Sequence, residues 1–498
     1  MRNFTKSLVG LPEAFVSNST ISDEVSREVR AGRLRKLASR LYTTNLQDPP
    51  ESIVRRNLWQ LVGQYFPGAL LADRTAFEFV PTSDGSVFVV STHKRVIAIP
   101  GVVIRPRGGQ GPLKSDRPFV ENLFLSSPAR AYLDNMRLSR IRGGKSRRTL
   151  TKEDIEQRLE ELLSQRGEPA LNELRDQTKV VARSLGLERE RTKLDKIIGA
   201  LLGTKTSKLN SKQAIARKAG LPYDAARLPL FENLLIALRQ RPIKPRVAKL
   251  SALGSALPFY EAYFSNFIEG TKFEIEEAEN IVFNGNVPTT RPADAHDIRG
   301  TFAVVSNLQE MSRIPASREE LEELLSKRHA LIMGGRPDVA PGQFKSQRNR
   351  AGSTLFVTPE LVRGTLAQGF GYYSSLESPF ARAVFMMFLI SEVHPFSDGN
   401  GRTARIFMNA ELVHANHTRI VIPTVYRNEY VSALKALSRN NRAQALMRTL
   451  DYAQRYTYEI DWSSLSAARA MLTSTNAFLD SVDAERDGFQ LDLPERGT

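Results

Sequence analysis

The run His394-Pro395-Phe396-Ser397-Asp398-Gly399-Asn400-Gly401-Arg402-Thr403-Ala404-Arg405 constrains this chain more than any other stretch, because an apolar segment, a glycine-broken turn and an amphipathic segment follow one another without a gap. Ala383 to Ile390 reads as a buried helix before it, and RTARIFMNAELVHA, from Arg402, reads as a second helix after it. The turn therefore feeds a helix N-terminus, where unpaired N–H groups and the macrodipole favour negative charge. Gly399 and Gly401 carry no Cβ, so the backbone can turn sharply and bring its amides close to an anion. His394 can take a proton from a hydroxyl near neutral pH. Asp398 offers the hard oxygen that Mg²⁺ prefers, with phosphate oxygens as further ligands. Arg402 and Arg405 lie three apart on the helix, and their guanidinium forks match phosphate. A lone G-x-G would be no more than a helix-capping turn; here every position carries a chemically interpretable group, and the segment reads as a phosphate-handling site.

The segment resembles the signature of the Fic family, H-x-F-x-(D/E)-G-N-G-R-x-x-R, matched at every defined position. The resemblance implies transfer of AMP from ATP to a Ser, Thr or Tyr hydroxyl of a target protein. It makes His394 the base and Asp398 the Mg²⁺ ligand. Asn400 and the amides around Gly399 and Gly401 would hold the inner phosphates, Arg402 and Arg405 the outer ones, and Phe396 would anchor the loop. Doc-type kinases depart from G-N-G-R, so adenylyl transfer is expected over phosphoryl transfer.

Upstream, FYEAYFSNFIEG has apolar and aromatic residues at helical spacing, which puts Ser265 and Glu269 on one face as an i, i+4 pair and Gly270 at the helix end. It resembles the family's inhibitory motif, (S/T)-x-x-x-E-(G/N), placed before the catalytic core. The resemblance implies that Glu269 pairs with Arg405 and fills the space a γ-phosphate needs. Pro341 to Lys345 and Ser353 to Val357 flank the polar stretch QRNRAG as hairpin arms flank a turn. The resemblance to the family implies that a flap of this kind lies beside the active site and pairs its edge with the target backbone, with Gly342, Phe344, Lys345, Leu355 and Phe356 as docking residues. Arg427 to Tyr430 resembles the helix that closes the adenine pocket, with Tyr430 either a nucleotide contact or core.

At 498 residues the chain is too long for one core. The expected organisation is multidomain: a winged-helix-like basic module (1–48), an α+β domain (49–140), a helical segment (141–245), a mostly α-helical Fic fold with a β-hairpin flap (246–460) and a C-terminal tail (461–498) whose final residues, 483–498, are expected to fray. Residues 1–150 hold 24 Lys+Arg against 12 Asp+Glu, a net of +12, whereas the other 348 carry only +4. Basic excess at one end is the footprint expected of nucleic-acid contact. There, Thr20 to Gly32 reads as a capped helix, and Leu34–Leu37 and Leu41–Thr44 as two short strands. The pattern resembles the winged-helix domain of AbiEi-type antitoxin regulators, with Arg27, Arg30, Arg33, Arg35 and Lys36 as candidate DNA-phosphate contacts.

The absence of cysteine excludes disulfides and thiolate metal sites. No stretch reaches the roughly 18 apolar residues of a membrane span. The opening twenty residues do not read as a secretion signal. A cytoplasmic protein is expected, with a homo-oligomer left open. His414 and His417 lack the carboxylates or cysteines of a metal pair, and His93, His296 and His329 sit in no motif. Two rival readings stand beside AMP transfer: removal of AMP from a modified protein, and a DNA-binding regulator whose catalytic core senses nucleotide or modifies the regulator itself.

Overall fold

A computed structural model describes residues 10–140, 146–249, 254 and 256–494. Most of the expected basic linker, Ile141 to Arg148, lies outside the described residues, as do the last four of the tail. The chain divides into two compact units, Met1–Lys218 and Ala219–Thr498.

In the first unit, β1 (Ala14–Val16), β2 (Arg35–Ala38) and β3 (Leu41–Thr43) form an antiparallel sheet in the order β1-β3-β2, with α1 (Ser22–Arg30) packed against it through Phe15, Val25 and Leu34. The expected helix and basic hairpin are both present. The expected cap is not formed: no side chain caps α1, and Asn18 Oδ1 instead accepts the N–H groups of Thr20 and Ile21 in the turn before it. Next come α2 (Pro50–Arg56), α3 (Leu58–Tyr65), β4 (Leu70–Leu71), α4 (Thr75–Glu78), β5 (Ser86–Val90), β6 (Ile97–Ile99), β7 (Val102–Arg107), β8 (Arg117–Pro118) and β9 (Phe124–Leu125). The six strands form one mixed sheet, β6-β7-β5-β4-β9-β8. Ile53, Val54, Leu61 and Val62 of the two helices pack on its Val87, Val89 and Ile104.

Helices α5 (Pro128–Asn135), α6 (Lys152–Leu185), α7 (Glu188–Leu201) and α8 (Lys212–Lys218) close the unit. A capping box, Thr151 with Asp154, starts α6, and Gly167 at φ +74° kinks it just before Pro169.

The second unit is nearly all helix: α9 (Leu228–Gln240), α10 (Ala256–Ile268), α11 (Ile275–Phe283), α12 (Pro292–Val305), α13 (Leu308–Met311), α14 (Arg318–Met333), α15 (Val362–Tyr373), α16 (Pro379–Val393), α17 (Asn400–His414), α18 (Arg427–Asn440), α19 (Ala443–Glu459), α20 (Leu465–Ser474) and α21 (Ser481–Asp487). A two-stranded hairpin, β10 (Arg350–Ala351) and β11 (Thr354–Leu355), interrupts them. Ala383 to Ile390 of α16 are all fully buried, as a helix apolar on every side must be. Around it pack α9, α15 and α17.

Two expected boundaries move. Helix α9 was assigned to the preceding helical segment, but Phe231, Leu234, Leu235 and Leu238 lie in the core around α16, so the unit begins near residue 219. The final residues, 483–498, are not frayed over their described length: Ala484 and Leu491, like Trp462, Leu472 and Ala477 earlier in the tail, are buried in one cluster with Tyr260 and Phe264 of α10. Their apolar residues are spaced too sparsely to announce two helices. Among the described residues no helix is long and apolar enough to cross a membrane.

Candidate active site

Helix α16 ends at Val393, and His394 takes φ +53°, a left-handed conformation that costs a non-glycine residue energy, while its N–H still reaches Ile390 O at 2.9 Å. The following loop runs to α17. Phe396, fully buried, is its plug, stacked face to face on His329 with ring centroids 3.7 Å apart. Asn400 closes the loop on itself, since Oδ1 accepts Phe396 N–H (2.9 Å) and Nδ2 donates to Phe396 O (2.8 Å). Both ends of the Asn400 side chain thus hold the loop, where a phosphate contact was expected. Gly399, at φ +72°, lies so near Met333 that a Cβ would fall 2.7 Å from the sulfur.

His394 Nδ1 lies 3.2 Å from Ser391 O. A carbonyl only accepts, so Nδ1 carries the hydrogen and the Nε2 lone pair is left for a proton. Phe356 stacks flat on the imidazole, 3.7 Å between centroids and 5° between planes. Burial pushes the imidazole down to about 4, with the nearby Lys345 charge acting the same way against the Ser391 carbonyl. His394 is thus neutral, the state a base requires, throughout the physiological range.

A cavity of about 230 Å³ opens beside it, lined by Glu269, His394, Gly401, Arg405 and Tyr430 among others. Arg405 donates from Nε to Ser265 Oγ (3.0 Å) and from Nη2 to Ser265 O (2.9 Å) and Glu269 Oε1 (2.7 Å). Burial works against the guanidinium charge, but Glu269 and Tyr430 outweigh it and raise Arg405 above its ordinary value. Glu269 stands just past the end of α10, and its Oε1 crowds Gly401 in the first turn of α17. A carboxylate thus occupies the place where an anion would meet that helix. Tyr430 is 2% exposed and its hydroxyl faces Met387 Sδ at 3.4 Å, so it is both core and cavity wall.

Arg402 departs from expectation. It is buried and paired with Asp297 Oδ2 (2.7 Å) and Asn266 Oδ1 (3.3 Å), so a carboxylate on α12 holds the guanidinium expected to reach an outer phosphate. Asp297 stood in no motif, and nothing in the sequence announced it. Asp398 is 57% exposed in its side chain; Oδ1 accepts Gly399 N–H (2.7 Å), while Oδ2 has Arg402 only at 3.9 Å. That free oxygen suits a hard divalent ion whose other ligands come from phosphate and water.

The hairpin is real but displaced. Its strands are Arg350–Ala351 and Thr354–Leu355, so residues expected in the turn form the first arm. Gly342, Phe344 and Lys345, expected on the docking edge, belong instead to a packed loop. Gly342 N–H donates to His329 Nδ1 (2.9 Å), Phe344 lies 5.4 Å from Phe396, and Lys345 is only 4% exposed. Leu355 is 67% exposed on the free strand, and Phe356 covers His394. The polar composition of 346–352 hid the strand.

His329 is a second residue that sequence reasoning missed. Because Gly342 donates to Nδ1, Nε2 carries the hydrogen and donates to Asp398 O (3.0 Å). Burial pushes it, too, down to about 4. His414 Nδ1 meets Ser312 O (2.8 Å), and among the described residues no three metal-ligating side chains gather. In the first unit Arg33 forks onto Glu28 (2.5 and 2.8 Å) and Arg35 donates to Asp48 O (2.5 Å), so these two are committed, whereas Arg27, Arg30 and Lys36 are exposed.

The Fic/DOC family profile matches residues 320–412. A Fido domain-containing protein of Dictyostelium discoideum is 32% identical over 106 residues, 20% of this chain and 74% of that protein. A protein adenylyltransferase, fic-1, of Caenorhabditis elegans is 24% identical over 245 residues, 48% of this chain and 46% of its own length. The chain thus spans about half of that relative or less. A solved Fic domain-containing signaling protein of Bacteroides thetaiotaomicron is 17% identical, covering 48% of this chain and 97% of its own, at a TM-score of 0.38.

Proposed function

The chain belongs to the Fic/DOC family, and from that premise we propose that it transfers AMP from ATP to a hydroxyl side chain of a target protein, restrained by its own Glu269. The observation that carries the reading is the cavity that brings a neutral imidazole, Arg405 and the start of α17 together. In the step proposed, the target hydroxyl oxygen bonds to the α-phosphorus of ATP. The bond to the β-phosphate oxygen breaks, pyrophosphate leaves, and the hydroxyl proton passes to His394 Nε2. Helix α17 and Arg405 would hold the phosphates once Glu269 withdraws. Asp398 would hold Mg²⁺, which supplies charge neutralisation on the phosphates. The exposed edge at Leu355 would pair with the target backbone. We place the reaction in the cytoplasm, as suits a chain without cysteine.

The test is incubation of Glu269→Gly protein with labelled ATP, Mg²⁺ and cell extract, followed by mass spectrometry of the acceptors. AMP on Ser, Thr or Tyr supports the reading; label absent from every protein sinks it. A second reading, removal of AMP, is favoured by the Glu269 carboxylate in the same cavity, where it could orient water. AMP released from a modified target by the wild type, and not by Glu269→Gly, would establish it. Exposed Arg27, Arg30 and Lys36 support a separate proposal of DNA contact by the N-terminal module. A gel shift with the full chain that weakens steeply with salt would bear it out.

A further inference from the structure

We propose that Lys345 and Asn349, at the base of the hairpin, are positioning residues that hold His394 in its working orientation and tie it to the strand that receives the target. The inference rests on the adenylyl-transfer reading for its kinetic meaning, though not for its geometry.

The backbone before and after His394 is held by these two residues. Lys345 Nζ donates to Val393 O (3.4 Å), Lys345 N–H donates to Pro395 O (2.9 Å), and Asn349 Nδ2 donates to Phe396 O (2.8 Å). Lys345 Nζ also donates to Asn349 Oδ1 (2.7 Å), which joins the two into one clamp. Val393 is the last residue of α16, so its carbonyl belongs to the set that a helix end leaves without a partner. Beyond the clamp the chain turns through β10 and β11 and returns as Phe356, whose N–H donates to Asn349 O (3.4 Å) and whose ring lies flat on His394. The base is thus gripped by its backbone from one end of the hairpin and by its ring from the other.

Two features argue that the clamp does more than cap a helix. A capping lysine ordinarily keeps its ammonium in water, whereas Lys345 is 4% exposed, with no carboxylate among its hydrogen-bond partners. Burying an ammonium is costly, and the hydrogen bonds offset only part of that cost. The residue it flanks is in a strained left-handed conformation that must be over-determined by its surroundings. A target strand added to β11 would pull directly on Phe356 and Asn349. Docking would thus reinforce, through the hairpin, an orientation that the clamp already holds.

The test compares Lys345→Met, Lys345→Arg and Asn349→Ala in the full-length Glu269→Gly protein. The first readout needs no reaction. Imidazole C–H resonances of His394, assigned by their loss in His394→Ala, carry a ring-current shift from Phe356. Lys345→Met and Asn349→Ala should move them toward the position of an exposed histidine, and Lys345→Arg should restore them. The second readout is kinetic: kcat for AMP transfer should fall about 10- to 100-fold, as for removal of an orienting partner, with KM for ATP within twofold and kcat largely recovered in Lys345→Arg. Asn349, only half-buried, keeps the test alive if Lys345→Met does not fold. Unmoved resonances in Asn349→Ala, or losses of kcat matched by equal losses in ATP binding, overturn the proposal. Absence of AMP transfer in the parent Glu269→Gly protein would sink the adenylyl-transfer reading alone, since the resonance shifts still decide the clamp.

Discussion

Glu269 presses on Gly401: a methyl group at Gly401 would fall 2.1 Å from Glu269 Oε1, so the carboxylate sits directly on the first turn of α17. The same oxygen receives Arg405 Nη2 at 2.7 Å. One side chain thereby pairs with the guanidinium and stands against the first turn of the helix, the two features that would otherwise attract a phosphate. Glu269→Gly should tighten ATP binding by about tenfold or more, equivalent to about 1.4 kcal/mol, and raise AMP transfer. Calorimetry on the His394→Ala, Glu269→Gly double variant measures the affinity without turnover. Unchanged affinity would remove Glu269 from the inhibitory role.

His394 should set an unusually acidic limb to the pH profile. Its pKa, lowered to about 4 by burial, leaves the imidazole unprotonated well below the ordinary histidine range. In Glu269→Gly protein, kcat/KM for AMP transfer should stay level from pH 7 down to about 5 and fall below that. A limb near 6.5 would mean that Phe356 does not shield the ring. His394→Ala should lose activity by orders of magnitude, because no second imidazole lines the cavity among the described residues to take the proton.

His329 should make the fold itself sensitive to acid. Its folded pKa of about 4 lies below the ordinary 6.5, so between those values the unfolded chain binds a proton that the folded chain excludes. The stability it contributes is complete above about 6.5 and is lost as pH falls toward 4, by up to about 1.4 kcal/mol per pH unit. His394 adds in the same direction. Urea midpoints between pH 7 and 5 should fall steeply in the wild type and less steeply in His329→Gln, which starts from lower stability. Parallel slopes would show that His329 is not held neutral.

How much of this was legible in the sequence depended on whether a residue acts through its neighbours in the chain or across space. The loop from His394 to Arg405 is local, and its glycines, its imidazole and its exposed carboxylate announce themselves by type and spacing. Glu269 was legible because it repeats a motif, and its pairing with Arg405 is as expected. Arg402 was misplaced because its partner Asp297 lies 105 residues away on α12, in a helix with nothing to mark it. The loop-closing bonds of Asn400 were hidden because a side-chain amide serves a loop and a phosphate equally well on paper. His329 and Lys345 were opaque for a different reason: their roles come from burial, which polar residue types conceal. In the first unit, composition pointed to five basic residues, but only geometry separates Arg33, committed to Glu28, from the exposed Arg27.

Phe478, in the C-terminal tail, should restrain Glu269 from a distance. Its ring stacks on Phe264 of α10 at 5.4 Å and lies 6.0 Å from Tyr263 and 6.1 Å from Tyr260. Lys272, three residues past Glu269, reaches Asp480 at 3.0 Å. The C-terminal helices thus brace both α10 and the segment just after Glu269. Phe478→Ala should remove about 2 kcal/mol, less than a fully buried phenylalanine because the ring is only partly enclosed. It should also raise AMP transfer, since a loosened α10 withdraws the carboxylate more often. In the Glu269→Gly background the same substitution should leave turnover unchanged, because no inhibitory carboxylate remains to release. The double-mutant cycle therefore separates restraint from simple destabilisation. Additive effects on activity would place Phe478 outside the inhibitory device.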